Sequence, residues 1–142
     1  MSIIQTIQKI FVQDNEKFLK GLYRELFNRE IYSSGFSTYM SFLQNGDSKI
    51  NIFNYLVKSE EFAQRITQGK IIHILQTIMY KEDYEFISLL YYVVLGKVPL
   101  LNQIQEDKEK LNSNISKAEF IKNILLSEEF LYQIIQPFPS AQ

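Results

Sequence analysis

The chain has 142 residues, one histidine, no cysteine and a formal net charge of −1, and its 46% hydrophobic and 22% charged content is that of an ordinary soluble globular protein. Lack of cysteine excludes disulfides, thiolate metal sites and thiol nucleophiles, and the interspersed, near-neutral charge argues against a nucleic-acid partner, which needs a basic surplus. No apolar run approaches the roughly 20 residues of a membrane span, and Gln5, Gln8 and Lys9 interrupt the start as they would not in a signal peptide; a cytoplasmic location is expected, or surface association if the chain belongs to a larger or non-classically exported protein.

Ile3, Ile4, Ile7, Ile10 and Phe11 follow the i, i+3, i+4, i+7 stripe of an amphipathic helix, which predicts an N-terminal helix within 1–13. Asp14 or Asn15 can cap a second helix with Phe18, Leu22, Tyr23 and Leu26 on its inner face. Asn28 to Ser34 breaks the periodicity and reads as a loop; Phe36, Tyr39, Met40 and Leu43 then restore helical spacing. Asn45-Gly46-Asp47-Ser48 is a turn signal, with Ser48 or Asp47 capping a helix through Ile52, Phe53 and Leu56. Ser59 caps the next helix, where Glu60 and Glu61 favour the positive end of the helix dipole.

Ile71, Ile72, Leu75, Ile78 and Met79 predict a connecting helix within 69–81. Phe86, Leu89, Leu90, Val93 and Val94 make another, and Gly96 with Pro99 behind it is a stop signal. Leu101, Ile104 and Leu111 mark a thinner, highly charged helix. Ser116-Lys117-Ala118-Glu119 fits a capping box ahead of Phe120, Ile124 and Leu125, and Ser127 caps a final helix ending before Pro137. No run alternates with period 2, so the predicted fold is all-α.

The pattern also repeats. Phe18 to Phe62 overlays Phe86 to Phe130 without a gap, at an offset of 68 residues. Identical pairs fall at Phe18, Leu22, Tyr23, Leu43, Ser48, Lys49, Ser59, Glu60, Glu61 and Phe62. Apolar residues replace apolar ones at Leu26, Phe27, Phe36, Ile52, Phe53, Leu56 and Val57. Similarity at packing and capping positions predicts two tandem multi-helix repeats, 14–68 and 82–136, packed into one compact domain. Leu22 and Leu26 are then expected to share a core with Leu90 and Val94.

Chemistry is sparse. His73 has no recognisable orienting carboxylate, nucleophile or co-ligand, so a structural or exposed role is expected. Glu60/Glu61 and Glu128/Glu129 are adjacent pairs pointing about 100° apart on a helix, and they do not converge as paired catalytic acids must. No phosphate-loop, dinucleotide, zinc-protease, calcium-loop or nucleophile-elbow motif occurs. No catalytic residue, metal site or cofactor is therefore expected. The candidate ligand- or partner-binding residues are Asn28, Arg29, Tyr32, Ser33 and Tyr39: a loop tyrosine without an apolar stripe is expected to be exposed, and aromatic faces backed by polar groups suit a sugar. Phe36 reads as core. Arg29 has the alternative role of a cation closing the preceding helix's C-terminal end.

Leu22-Tyr23-Arg24-Glu25-Leu26-Phe27-Asn28-Arg29-Glu30, followed by Gly35, Tyr39, Leu43, Gly46 and Ser59-Glu60-Glu61-Phe62, resembles a bacterial domain-of-unknown-function family with the pattern LYRxLLGRxPDxxGxxYW…L…G…SxEF. Members occur in tandem in secreted and surface-layer proteins and beside glycosyltransferases. The layout is also distantly similar to the helical domain of phycobilisome linkers. The family's Pro-Asp is Ile31-Tyr32 in the first copy; the second keeps Pro99 but has Leu100 for the acid and Gln103 for the glycine. The resemblance implies a non-enzymatic module for adhesion or assembly. Expected partners are another protein or a second copy, with a surface polysaccharide or other glycan as the alternative and a phycobilisome-linker-like scaffold as a third.

Overall fold

The computed structural model describes residues 3–67, 73–113 and 115–135, and for residues 73 and 74 the backbone alone. Among these residues it is all-α: α1 (Ile3–Phe11), α2 (Asn15–Phe27), α3 (Ser33–Gln44), α4 (Lys49–Val57), α5 (Glu60–Thr67), α6 (His73–Met79), α7 (Asp83–Leu90), α8 (Leu101–Ser113), α9 (Lys117–Leu125) and α10 (Glu128–Ile134). A π-helical turn, Tyr91–Leu95, extends α7. The starts of α2 to α5 lie 68 residues before those of α7 to α10, with Asn15 over Asp83, Ser33 over Leu101, Lys49 over Lys117 and Glu60 over Glu128.

Helix ends are held by local hydrogen bonds, and these recur at the same offset. Asp14 accepts from the Lys17 amide and Glu82 from the Glu85 amide. The Ser48 hydroxyl accepts from Asn51 N–H and Ser116 from Glu119 N–H, each at 3.1 Å. Ser59 accepts from Phe62 N–H at 3.2 Å and donates to the Leu56 carbonyl at 2.7 Å, so one hydroxyl closes α4 and opens α5; Ser127 does the same with Phe130 and Ile124. Ser59→Ala removes both bonds, and urea denaturation is expected to register a loss of about 1 kcal/mol. The box at Ser116 is half-formed: the Glu119 carboxylate lies 3.8 Å from Lys122 Nζ, a pair at i, i+3.

Three local expectations need correction. Ser33 and Ser34 belong to the first turn of α3 rather than to the loop. Tyr91–Leu95 is π-helical where Tyr23 to Phe27 is α-helical. On α8, Leu101 is exposed, whereas Asp107 is 2% exposed and belongs to the interior. The expected stop at Gly96 is present, with the left-handed φ of 69°. The expected connecting helix lies partly outside the described residues, as do Pro137 and the His73 side chain.

One apolar cluster runs through both halves. Leu22, Leu26, Leu90 and Val94 are all buried in it, with Phe18, Phe53, Phe62, Phe86 and Phe130 fully enclosed. Helix α1 packs on α2 and also on α10, so the ends of the described chain close on each other. Gln8 Nε2 ties that contact by donating to the Gln133 carbonyl at 3.0 Å. Gly21 sets the α1–α2 approach, since a Cβ there would stand 3.3 Å from Ile10 Cγ1.

Candidate functional site

The segment after α2 starts from a backbone requirement. Asn28 has φ 53°, caps α2 in the left-handed region and donates its N–H to the Arg24 carbonyl at 3.0 Å. Gly96 holds the matching place in the second half. Asparagine tolerates this conformation better than most residues, which accounts for Asn28 without a ligand.

Arg29 turns inward from there. Its Nε and Nη2 donate to the two carboxylate oxygens of Glu61, each at 2.8 Å, a bidentate fork linking the loop to α5. Nη1 donates to the Glu30 carbonyl at 2.7 Å. Arg29 thus ties the loop to α5, a different task from closing α2. Its guanidinium carbon lies 4.4 Å from the Tyr32 ring centroid, 5.1 Å from Tyr23 and 5.8 Å from Phe27. Hydrogen bonding from Arg29 holds the Glu61 carboxyl below the usual range, and that bond raises the Arg29 guanidinium in turn. Arg65 adds a second cation 3.7 Å from Glu61. Arg24 pairs outside with Glu30 at 2.9 Å.

Tyr32 is 69% exposed and stacked on Arg29, and Ser33 beside it is exposed. Tyr39 is half-buried on α3, 6.3 Å from Tyr23 and 5.9 Å from Phe42, which in turn lies 6.4 Å from Tyr55. Burial, with Tyr39 next to it, pushes the Tyr23 phenol up to about 12. The structure therefore gathers Arg29, Tyr32 and Tyr39 around Tyr23, with Ser33 at the rim and Asn28 serving the backbone.

The corresponding place in the second half is built differently. Lys97 replaces Arg29: its Nζ meets Glu129 Oε1 at 2.9 Å, in a pair that is largely solvated, and lies 5.9 Å from the centroid of the Tyr91 ring. Leu100 replaces Tyr32, Asp107 replaces Tyr39 and Gln133 replaces Arg65. An open cleft of about 390 Å³ results, with Tyr91, Leu95, Lys97, Leu100, Gln103 and Glu129 among its lining residues. It adjoins a second of about 240 Å³ that shares Tyr91, Gln103 and Ile124. On the wall between them, Tyr91 Oη donates to Asp107 Oδ2 at 2.6 Å and Gln103 Nε2 to Asp107 Oδ1 at 3.2 Å. Burial, then the bond to Asp107, raises the Tyr91 phenol well above its ordinary value. Val98, Leu100 and Leu101 are 79%, 74% and 62% exposed on the adjacent loop and helix start.

Sequence reasoning missed Glu61 and Glu129 as partners of the loop cations, and also two lysines. Lys49 Nζ donates to the Phe11 carbonyl at 2.7 Å and to Gln13, closing α1; Lys117 serves α6 likewise through Met79 and Lys81. Each lies over a buried phenyl ring, Phe18 at 5.3 Å and Phe86 at 5.1 Å. The signal was available, because Lys49 and Lys117 are an identical pair directly behind a capping serine.

Among the described residues no group of three or more histidines or carboxylates is placed to hold a metal ion, and no helix is long and apolar enough to cross a membrane. Neither the curated proteins nor the solved structures contain a match to this chain. Residues 7–66, the part that holds α2, the Arg29 loop and α5, match the model of a family described as a domain of unknown function (DUF4214).

Proposed function

We propose that the chain is a non-enzymatic interaction module in which two related helical units, the second a duplicate of the first, pack into one body and offer the loop of the second to another protein. Recurrence of caps, lysine ties and loop carboxylates at one offset supports the duplication. The interaction reading is carried by the exposed cluster Val98, Leu100 and Leu101 beside an open cleft. Val98 and Leu100 on the loop and Leu101 at the start of α8 put three exposed apolar side chains within four residues, and exposed apolar surface of this kind marks contact sites. In the first half the same loop is occupied by its own arginine and tyrosine. A cytoplasmic location accords with this reading and is part of the proposal.

The test is chemical cross-linking through Lys97 with the tagged chain in its native host, compared with Leu101→Asp. A defined partner cross-linked to the wild type and reduced at least tenfold in the variant is the expected result. An identical cross-link pattern for both proteins would sink the reading.

A second reading, glycan recognition at the first loop, rests on the exposed Tyr32 ring beside Ser33 and Arg29. On a broad glycan array it requires binding that Tyr32→Ala abolishes.

A further inference from the structure

Helices α3 and α8 hold the same place in the two units and differ sharply in charge. α8 carries Glu106, Asp107, Lys108, Glu109 and Lys110 and buries Ile104 and Asp107, whereas α3 has no charged residue and buries none of its side chains fully. The uncharged stretch around it, from Ile31 to Gly46, is the longest in the chain. Interface centres are depleted of charge and enriched in aromatic residues and methionine, and α3 has that composition in Phe36, Tyr39, Met40 and Phe42. Ser34, Thr38 and Phe42, spaced four apart, share one exposed face, with Ser37 and Ser41 exposed alongside. The Phe42 ring is held edge-on by Tyr39 at 5.9 Å and by the exposed Tyr55 of α4 at 6.4 Å. The face is therefore small at its N-terminal end and large at its C-terminal end.

We propose that two copies of the chain pair through α3, antiparallel about a two-fold axis at Thr38, with the Phe42 ring of each copy seated on Ser34 of the other. The missing charge selects a second copy. A different protein can answer a charged face with opposite charges, but a face that meets itself cannot, because any charge near the axis confronts its own twin. Size selects it too. An antiparallel pair centred on Thr38 sets the residue four places after it against the residue four places before it, so the large end of each face covers the small end of the other. The serines let the two helix axes approach closely, and the antiparallel arrangement brings opposite ends of the two helix dipoles together. A lipid surface is a poorer match, since the outward stripe bears hydroxyls and holds no cation for anionic headgroups. The contact lies in the first half and leaves the loop of the second free, so it goes beyond the partner reading and does not depend on it.

Sedimentation velocity of the full chain, run as a concentration series up to the millimolar range, tests it, and a monomer–dimer equilibrium is the expected result. Thr38→Glu and Thr38→Lys change an exposed position and are each expected to keep the helical circular dichroism of the wild type while weakening the dimer at least tenfold, since like charges then meet at the axis. Mixing the two variants in equal amounts puts glutamate opposite lysine and is expected to restore a dimer that neither forms alone. Leu101→Asp, on the second loop, is expected to leave the dimer unchanged. A wild type that stays monomeric throughout, a dimer that persists in Thr38→Glu, or a mixture no tighter than its components would each overturn the proposal. A dimer lost in Leu101→Asp and kept in both Thr38 variants would seat the copies at the second loop and overturn it as well. A monomeric chain that binds a glycan array through Phe42 would give the face to a sugar instead. The cross-link through Lys97 reads the second loop separately, so either reading can fail without the other.

Discussion

Phe53→Ala is expected to lower the free energy of unfolding by about 3–5 kcal/mol, among the largest losses a single truncation can produce here. Phe53 is fully buried on α4, 6.0 Å from the Phe11 ring on α1 and 5.9 Å from the Phe130 ring on α10. Its removal opens a cavity at the junction of the two halves, where rings fixed from three helices have little room to collapse. Because that junction belongs to one continuous core, the variant and the wild type should each unfold in a single transition. Urea denaturation followed by far-ultraviolet circular dichroism and by tyrosine fluorescence checks this: coincident curves are the expected outcome. Two separated transitions would show that the halves fold independently, against the packing of α1 on α10.

Arg29→Ala is expected to cost about 2–3 kcal/mol, because it leaves Glu61 without its fork and strips a cation from three aromatic faces. Lys97→Ala, at the largely solvated pair with Glu129, should cost less than about 1 kcal/mol. The ranking of the two variants tests whether the fork or mere charge neutralisation matters. The pH dependence has a definite sign. Glu61 has a folded-state pKa depressed below its unfolded value, so its contribution is fully present above the ordinary carboxylate range, about pH 4. It fades as pH falls through that range and is lost below the folded value. The stability gap between wild type and Glu61→Gln should therefore be constant near neutrality and shrink on acidification below about pH 4. A gap unchanged down to pH 2 would mean that the carboxylate's charge contributes nothing to the fork.

The helical fold and most of its punctuation were legible in the residues. Asp14, Ser48, Ser59, Ser116 and Ser127 act as caps because a cap needs a hydroxyl or carboxylate within three residues of a free amide, a relation confined to one turn of chain. The stripes Ile3-Ile4-Ile7 and Phe18-Leu22-Leu26 became buried faces for the same reason: helical period alone decides which residues share a side. Of the candidate site, Tyr32 was correctly expected to be exposed, since it belongs to no apolar stripe. That Asn28 caps α2 in the left-handed region was not legible, because only its φ angle reveals it.

Contacts that cross the fold were not legible. Glu61 was read as a partner of its own helix dipole, yet it lies 32 residues from Arg29 and meets it because α2 and α5 pack side by side. Asp107, one of several charges on α8, is buried against Tyr91, whose hydroxyl, on a widened turn, comes within 2.6 Å of it. The amino-acid sequence by itself determined the helices, their caps and the apolar faces, because those depend on neighbours within about one turn. Tertiary structure alone decided which carboxylate meets which cation and why the second loop leaves a cleft. Such pairings require side chains distant in the chain to be delivered to the same few ångströms by helix packing.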